Sequence, residues 1–223
     1  MRAPVSVIIP TLDAAAALPA CLAALMEGIE AGLIRELVIS DGGSTDATLR
    51  IAADVGAVAL SGAPSRGGQL RRGAGAAQGA WLLFLHADTV LPVGWAGVVQ
   101  AQIASGRPGY FRLRFDAGGL AAALVAGWAN LRARVFALPY GDQGLLVSRA
   151  DYDAVGGYED IVLMEDVALA RRLGRRMQMM PLAVRTSAAR YQADGWLRRG
   201  ARNLGVLLRY LCGADPARLR DRY

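Results

Sequence analysis

Five large apolar residues run without a break through Trp81-Leu82-Leu83-Phe84-Leu85 and stop at His86-Ala87-Asp88-Thr89. A short apolar run with no polar alternation fits a strand buried on both faces, which carries polar groups only at its carboxyl end. The design occurs twice earlier in the chain. Val5-Ser6-Val7-Ile8-Ile9 runs into Pro10-Thr11-Leu12-Asp13, and Leu37-Val38-Ile39-Ser40 runs into Asp41-Gly42-Gly43-Ser44-Thr45-Asp46. Three such strands end at one polar rim, the place where open α/β sheets bind ligands.

The segments between these strands have helical spacing. Leu18, Leu22, Leu25, Met26 and Ile29 follow the first, with Pro19 acceptable in a first turn. Ser44 and Thr45 are candidate N-caps for a second helix through Leu49, Ile51 and Ala52, ending before Gly56. Ala57 to Leu60 reads as a short third strand, Val98 to Ile103 as a helix, and Tyr110 to Phe115 alternates as a half-exposed strand should. Leu145 to Ser148 is a further strand, and Met164-Glu165-Asp166 introduces a helix with Val167, Leu169, Ala170 and Leu173 as its apolar positions. Strands alternating with helices argue an α/β fold with a mostly parallel sheet.

Composition removes several chemistries. The 223 residues are 54% hydrophobic and 20% charged, enough for one sizeable core. All 25 basic residues are arginine, so lysine Schiff bases and a P-loop lysine are excluded. One histidine and two distant cysteines, Cys21 and Cys212, argue against a zinc site or a disulfide framework and for a reducing compartment. A metal here would take oxygen ligands, which favours Mg²⁺ or Mn²⁺. The chain enters a strand almost at once, with no signal-peptide pattern, and a cytoplasmic setting is expected.

The net charge of +6 is unevenly placed. Residues 1–170 hold 12 arginines against 16 acidic residues, and residues 171–223 hold 13 against 3. On a helix from Trp196 to Leu211, Trp196, Leu197, Leu204, Leu207, Leu208 and Leu211 share one side, with Arg198, Arg199, Arg202 and Arg209 on the other. This helix suits its own sheet, a second copy or the inner face of an anionic membrane, and all three remain open. A nucleic-acid partner is not expected, because Tyr191, Trp196 and Tyr210 are the only aromatic residues interleaved with the basic block. Leu120 to Leu138 is also apolar, but its uncharged part, 118–131, is 14 residues, short of the ~20 a membrane span needs. It is read as a buried or surface-docked helix.

Two further segments bear on function. Ser61 to Gly75 is glycine-rich and reads as a loop entering a helix near Ala76; its backbone N–H groups, with Arg66 or Arg71, suit a phosphate, and an ordinary flexible connection suits the same residues. Asp166 lies at a helix N-terminus, where the dipole favours an ionised carboxylate, as a general base requires; an acidic cap without chemistry has the same appearance.

The ordered set Val5 to Thr11, Asp41 to Asp46, Ala77-Gln78-Gly79, His86-Ala87-Asp88, Gly156-Gly157-Tyr158 and Glu165-Asp166 resembles glycosyltransferase family 2 over roughly residues 4–176. Phe84 to Thr89, Gly141-Asp142-Gln143-Gly144 and Met164 to Asp166 are similar to a bacterial subgroup labelled arsenosugar-biosynthesis-type glycosyltransferases. The resemblance implies a GT-A-like, Rossmann-like domain over residues 1–190, with 191–223 as a basic helical extension of the same globular unit. It also implies an inverting transfer from a nucleoside-diphosphate sugar, UDP-sugar favoured, to an unknown acceptor. By the resemblance, Pro10, Thr11, Asp13, Asp41, Arg66, Gln69, Ala87 and Asp88 bind the nucleotide. Asp88 holds the metal, Asp166 is the base, and Glu165 beside it orients the acceptor or bonds a neighbouring loop. Asp142, Gln143 and Arg190 are expected near the acceptor or the diphosphate.

His86 stands where the family's D-x-D has its first aspartate, and Gly42 where a second aspartate is common. For His86 a metal ligand, a ribose contact and a locally satisfied strand-end histidine are all open. Two rivals stand beside the transferase. One is a degenerate relative that binds nucleotide sugar without turnover. The other is a sugar nucleotidyltransferase, a class that commonly uses the lysine missing here.

Overall fold

A computed structural model describes residues 3–220, the side chain of Arg220 apart. Its seven strands, all in one sheet, are β1 (Val5–Thr11), β2 (Ile34–Asp41), β3 (Val58–Ser61), β4 (Trp81–Phe84), β5 (Gly109–Phe115), β6 (Leu145–Ser148) and β7 (Gln178–Thr186). Their order across the sheet is β3-β2-β1-β4-β6-β5-β7. β1 pairs in parallel with both β2 and β4, so the connections reverse direction between β1 and β4. A crevice opens beyond the strand ends at such a switch point. Only β6 runs against its neighbours.

Alternation along the buried strands builds a core on each face of the sheet. Ile8, Val38, Leu82 and Phe84 face helices α3 (Arg66–Ala76), α7 (Glu165–Leu173) and α9 (Trp196–Leu211). Val7, Ile9, Ile39, Leu83 and Leu85 face α1 (Leu18–Glu30) and α4 (Trp95–Ala104). The C-terminal extension shares the first core through Val206, Leu207 and Leu219. A smaller cluster of Leu113, Phe115, Ala122, Ala129 and Ala188 lies beneath α5 (Leu120–Phe136) and α8 (Ala189–Asp194). Helices α2 (Thr48–Asp54), α6 (Arg149–Ala154) and α10 (Pro216–Arg220) complete the described chain, and no described helix is long and apolar enough to cross a membrane.

Two expectations are corrected. Ser44 and Thr45 do not cap α2; the Asp46 carboxylate accepts from the Thr48 amide at 2.9 Å, and the Ser44 and Thr45 side chains bond to Asp41 and Asp13 instead. The glycine-rich stretch is not a loop before a helix at Ala76, because Arg66 to Ala76 is itself helical. Its glycines serve packing: a Cβ on Gly67 would lie 2.0 Å from the Glu159 carbonyl, and one on Gly73 would lie 2.5 Å from Ile8. β7 has no counterpart among the strands expected from the sequence, because Pro181 interrupts it. β7 is an edge strand, where proline is tolerated, and its register with β5 shifts between Tyr110 and Arg112. On α9, whose docking the sequence left open, Arg199, Val206 and Leu207 face inward while Leu197, Leu204, Leu208 and Leu211 are exposed.

Candidate active site

The carboxyl ends of β1 and β2 are tied together by a fully buried carboxylate. Asp41 accepts from the Thr11 hydroxyl at 2.9 Å, the Ser44 hydroxyl at 2.5 Å, and the Gly43 and Ser44 amides at 2.8 and 2.7 Å. Burial alone would raise its pKa, but these four bonds to the ionised form outweigh it and hold the pKa below the ordinary value. With both oxygens used twice, Asp41 shapes the rim rather than presenting a free carboxylate. Gln69 plays a similar part, since its buried amide donates to the Thr11 and Ser40 carbonyls at 2.7 and 2.9 Å. Pro10 is half-buried. Asp13, exposed and in a left-handed conformation (φ 47°), accepts from the Thr45 amide at 2.8 Å, which joins the β1 and β2 loops.

Beyond β4 the chain turns through His86, Ala87 and Asp88, all half-buried, and the Thr89 amide closes the turn onto the His86 carbonyl at 3.0 Å. Burial, with help from Arg66 and Arg190, depresses the His86 pKa to about 3, so its imidazole is neutral at physiological pH. Burial raises the pKa of Asp88, and the same two arginines partly offset it. Arg66, at the first turn of α3, and the exposed Arg190 on α8 therefore act on one field around the β4 terminus.

The third component comes from the single turn of 3₁₀ helix Gly141–Gln143 and the start of α7. Gly141 is the joint. Its amide donates to Asp166 Oδ2 at 2.8 Å, and a Cβ on it would lie 2.4 Å from His86 Nε2, so only glycine lets this turn lie against the imidazole. Asp166 Oδ1 accepts from the Val167 amide at 2.7 Å, and two backbone donors thus fix the carboxylate. Glu165 is buried at 1% exposure, with Arg66 Nε 3.7 Å from its carboxylate. Burial and the neighbouring Asp166 raise its pKa to about 7, against the pull of Arg66.

Asp142 is the most unusual of the group. Its Oδ1 is buried without a hydrogen-bond partner, and burial lifts its pKa to about 6 despite Arg132. Arg132 was not anticipated from the sequence, where it is one arginine among many on a helix. It is buried, donates to the Leu138 carbonyl at 3.0 Å and lies 3.3 Å over the Tyr140 ring. Gln143, expected near acceptor or diphosphate, is instead wholly buried; its amide donates to the Phe111 carbonyl at 3.1 Å and its oxygen accepts from the Tyr140 amide at 3.3 Å. Tyr191 stacks on Trp196 with ring centroids 5.1 Å apart.

Comparison with known proteins identifies the family and the fold. Residues 6–119 match the profile of the family described as Glycosyl transferase family 2. Over 106 residues the chain is 43% identical to PGL/p-HBAD biosynthesis glycosyltransferases of Mycobacterium tuberculosis and Mycobacterium bovis, an alignment covering 41% of this chain and 38% of theirs. The chain thus spans about two fifths of the curated relatives it matches. S. aureus TarS 1–349 superposes with a TM-score of 0.64 at 15% identity, covering 98% of this chain and 69% of that one. Its complex with UDP-GlcNAc gives 0.60 at 16%, with 82% and 58% covered. Glucosyl-3-phosphoglycerate synthase of M. tuberculosis, solved with Mn²⁺, UDP and glucosyl-3-phosphoglycerate, gives 0.54 at 21%, with 82% and 71% covered. At these identities the structures establish the fold, a GT-A-like sheet flanked by helices.

Proposed function

The chain belongs to glycosyltransferase family 2, and on that premise we propose that it transfers a sugar, with inversion, from a nucleoside-diphosphate sugar to an acceptor hydroxyl. The observation that carries this reading is the junction at Gly141, which sets the fixed carboxylate of Asp166 on one side and the His86-Ala87-Asp88 turn on the other. Direct displacement needs such a pairing: a leaving diphosphate held at one place and a carboxylate nearby to take the acceptor's proton.

In this reading Pro10, Thr11, Asp13 and Ala87 line the nucleoside, with Asp41 and Gln69 behind them holding the rim in shape. Arg66 and Arg190 attract the diphosphate, because guanidinium groups suit phosphate oxygens. Asp166 accepts the proton of the acceptor hydroxyl, and Glu165, held beside Arg66, positions the start of α7. Donors resembling those in the solved relatives' complexes are the first choice, so we favour a UDP-sugar. The likeness to arsenosugar-type enzymes belongs to this proposal as a set of shared residues and names no acceptor.

The residues also suit a hard divalent cation, Mg²⁺ or Mn²⁺. Asp88 is the main candidate ligand, the unpartnered Oδ1 of Asp142 is an oxygen donor in search of a partner, and the neutral His86 offers a nitrogen lone pair. Among the described residues no group of three or more His, Cys, Asp or Glu side chains is assembled for a metal. This suits a cation completed by substrate phosphates rather than by a protein cage. When bound, the cation supplies Lewis-acid stabilisation of the charge that develops on the departing diphosphate.

The test is donor turnover. Incubated with UDP-, GDP- and dTDP-sugars and Mn²⁺, the protein is expected to release nucleoside diphosphate from one of them, slowly to water and faster with an acceptor. Nucleotide affinity with no release from any donor would assign the chain to the degenerate binders.

A further inference from the structure

α5 and α9 pack against each other, and each turns an apolar row outward. On α5 the row is Leu120, Leu124, Trp128, Leu131 and Val135, spaced three or four residues apart and hence on one face. On α9 it is Leu197, Leu204, Leu208 and Leu211. These nine side chains range from 36% exposed at Leu204 to 85% at Leu120. The rows adjoin, because Trp128 and Leu204 line the same narrow crevice between the helices. Scattered exposed leucines are ordinary, but a contiguous patch of this extent marks a contact surface.

The charge within the two helices has one sign. Neither Leu120–Phe136 nor Trp196–Leu211 contains an acidic residue, and Arg134, Arg198 and Arg209 are exposed. By the 100° step of an α-helix, Arg198 and Arg209 fall on the side of α9 away from α5, and Arg134 on the side of α5 away from α9. The apolar rows are therefore bordered by arginine along both outer edges.

We propose that the α5–α9 face docks on an anionic lipid bilayer, with both helices lying in the interfacial plane. The leucines, Val135 and Trp128 enter the boundary of the acyl chains, while Arg134, Arg198 and Arg209 reach the headgroups. Tryptophan suits that depth. A second copy is the weaker occupant: a two-fold contact through this face would set arginine borders of the same sign against each other, whereas anionic headgroups neutralise them. The inference stands apart from the chemistry proposed for the active site.

The test is flotation of the full chain with equimolar phosphatidylglycerol–phosphatidylcholine vesicles and with phosphatidylcholine vesicles, at low and high salt. The wild type is expected to bind the anionic vesicles preferentially and to be released as salt screens the arginines. Leu124→Gln/Leu131→Gln should weaken binding to both kinds at least ~10-fold, by loss of buried apolar area. Arg198→Gln/Arg209→Gln should cut the preference for anionic lipid roughly 25-fold, each arginine contributing roughly fivefold. Both variants should keep the wild-type melting temperature and UDP affinity, since the altered side chains are exposed. Absence of vesicle binding at low salt, or binding unchanged in both variants, overturns the proposal. A dimer that Leu124→Gln/Leu131→Gln dissolves, with no lipid binding, assigns the face to a second copy.

Discussion

Glu165 and Asp166 are neighbours on the first turn of α7, yet the fold puts them in opposite positions. Glu165 is buried beside Arg66, whereas Asp166 is partly open and aligned by the Gly141 and Val167 amides. Asp166→Asn keeps the shape and removes the proton acceptor, so transfer is expected to fall by ~10²-fold or more with donor affinity nearly unchanged; steady-state rates and UDP titration separate the two. The Glu165 carboxyl, raised from 4.5 to about 7, makes a pH prediction. Between those values the folded protein binds more protons than the unfolded chain, so stability falls as pH rises from about 4.5 to about 7. Glu165→Gln should flatten that fall, seen as a higher denaturation midpoint than wild type at pH 8 and little difference at pH 5. The sequence marked Asp88, Asp166 and Glu165 because polar residues at a strand end and a helix start are local signals. It named Gln69 and Gln143 as ligand contacts, whereas both amides donate to backbone carbonyls; nothing local distinguishes an amide facing a ligand from one bonded to a neighbouring strand.

At the scale of elements, α3 turns on glycines whose purpose lies elsewhere in the chain. The carbonyls of Glu159 and Ile161 lie against Gly67, so a Cβ there would meet them at 2.0 and 2.8 Å. Gly67→Ala must push α3 away from that segment, and a destabilisation of about 1–3 kcal/mol is expected from overpacking. UDP affinity should fall as well, because Arg66 precedes the displaced residue. Gly75, on the same helix, is exposed with nothing within 4 Å of its would-be Cβ. Gly75→Ala should therefore raise stability by roughly 0.5–1 kcal/mol through helix propensity alone. Thermal melts of the two variants check both signs. On composition the stretch reads as a loop because glycine is a poor helix former; tertiary packing against the 159–161 segment and Ile8 overrides that preference.

For the whole molecule, a nucleotide binding only the native state must raise its melting temperature. UDP with Mn²⁺ at 100 times the dissociation constant should add about 2.7 kcal/mol of stability, and Asp88→Asn should remove the Mn²⁺-dependent part of that gain. A full Mn²⁺ effect in the variant would take Asp88 out of the metal site. The sequence alone determined the α/β class, the strands β1, β2 and β4, and their common polar rim, because apolar runs and the residues that end them are local patterns with one economical solution. Only the tertiary structure decided that β6 runs antiparallel between β4 and β5 and that Pro181 sits in the edge strand β7. It alone brought Gly141 between His86 and Asp166 and sank Arg132 beneath Tyr140. It also left the leucine row of α9 facing outward. An amphipathic pattern shows that a helix has two faces, but which face the core takes depends on what the rest of the chain packs against it: here α5 and the first core claim the side bearing Arg199, Val206 and Leu207.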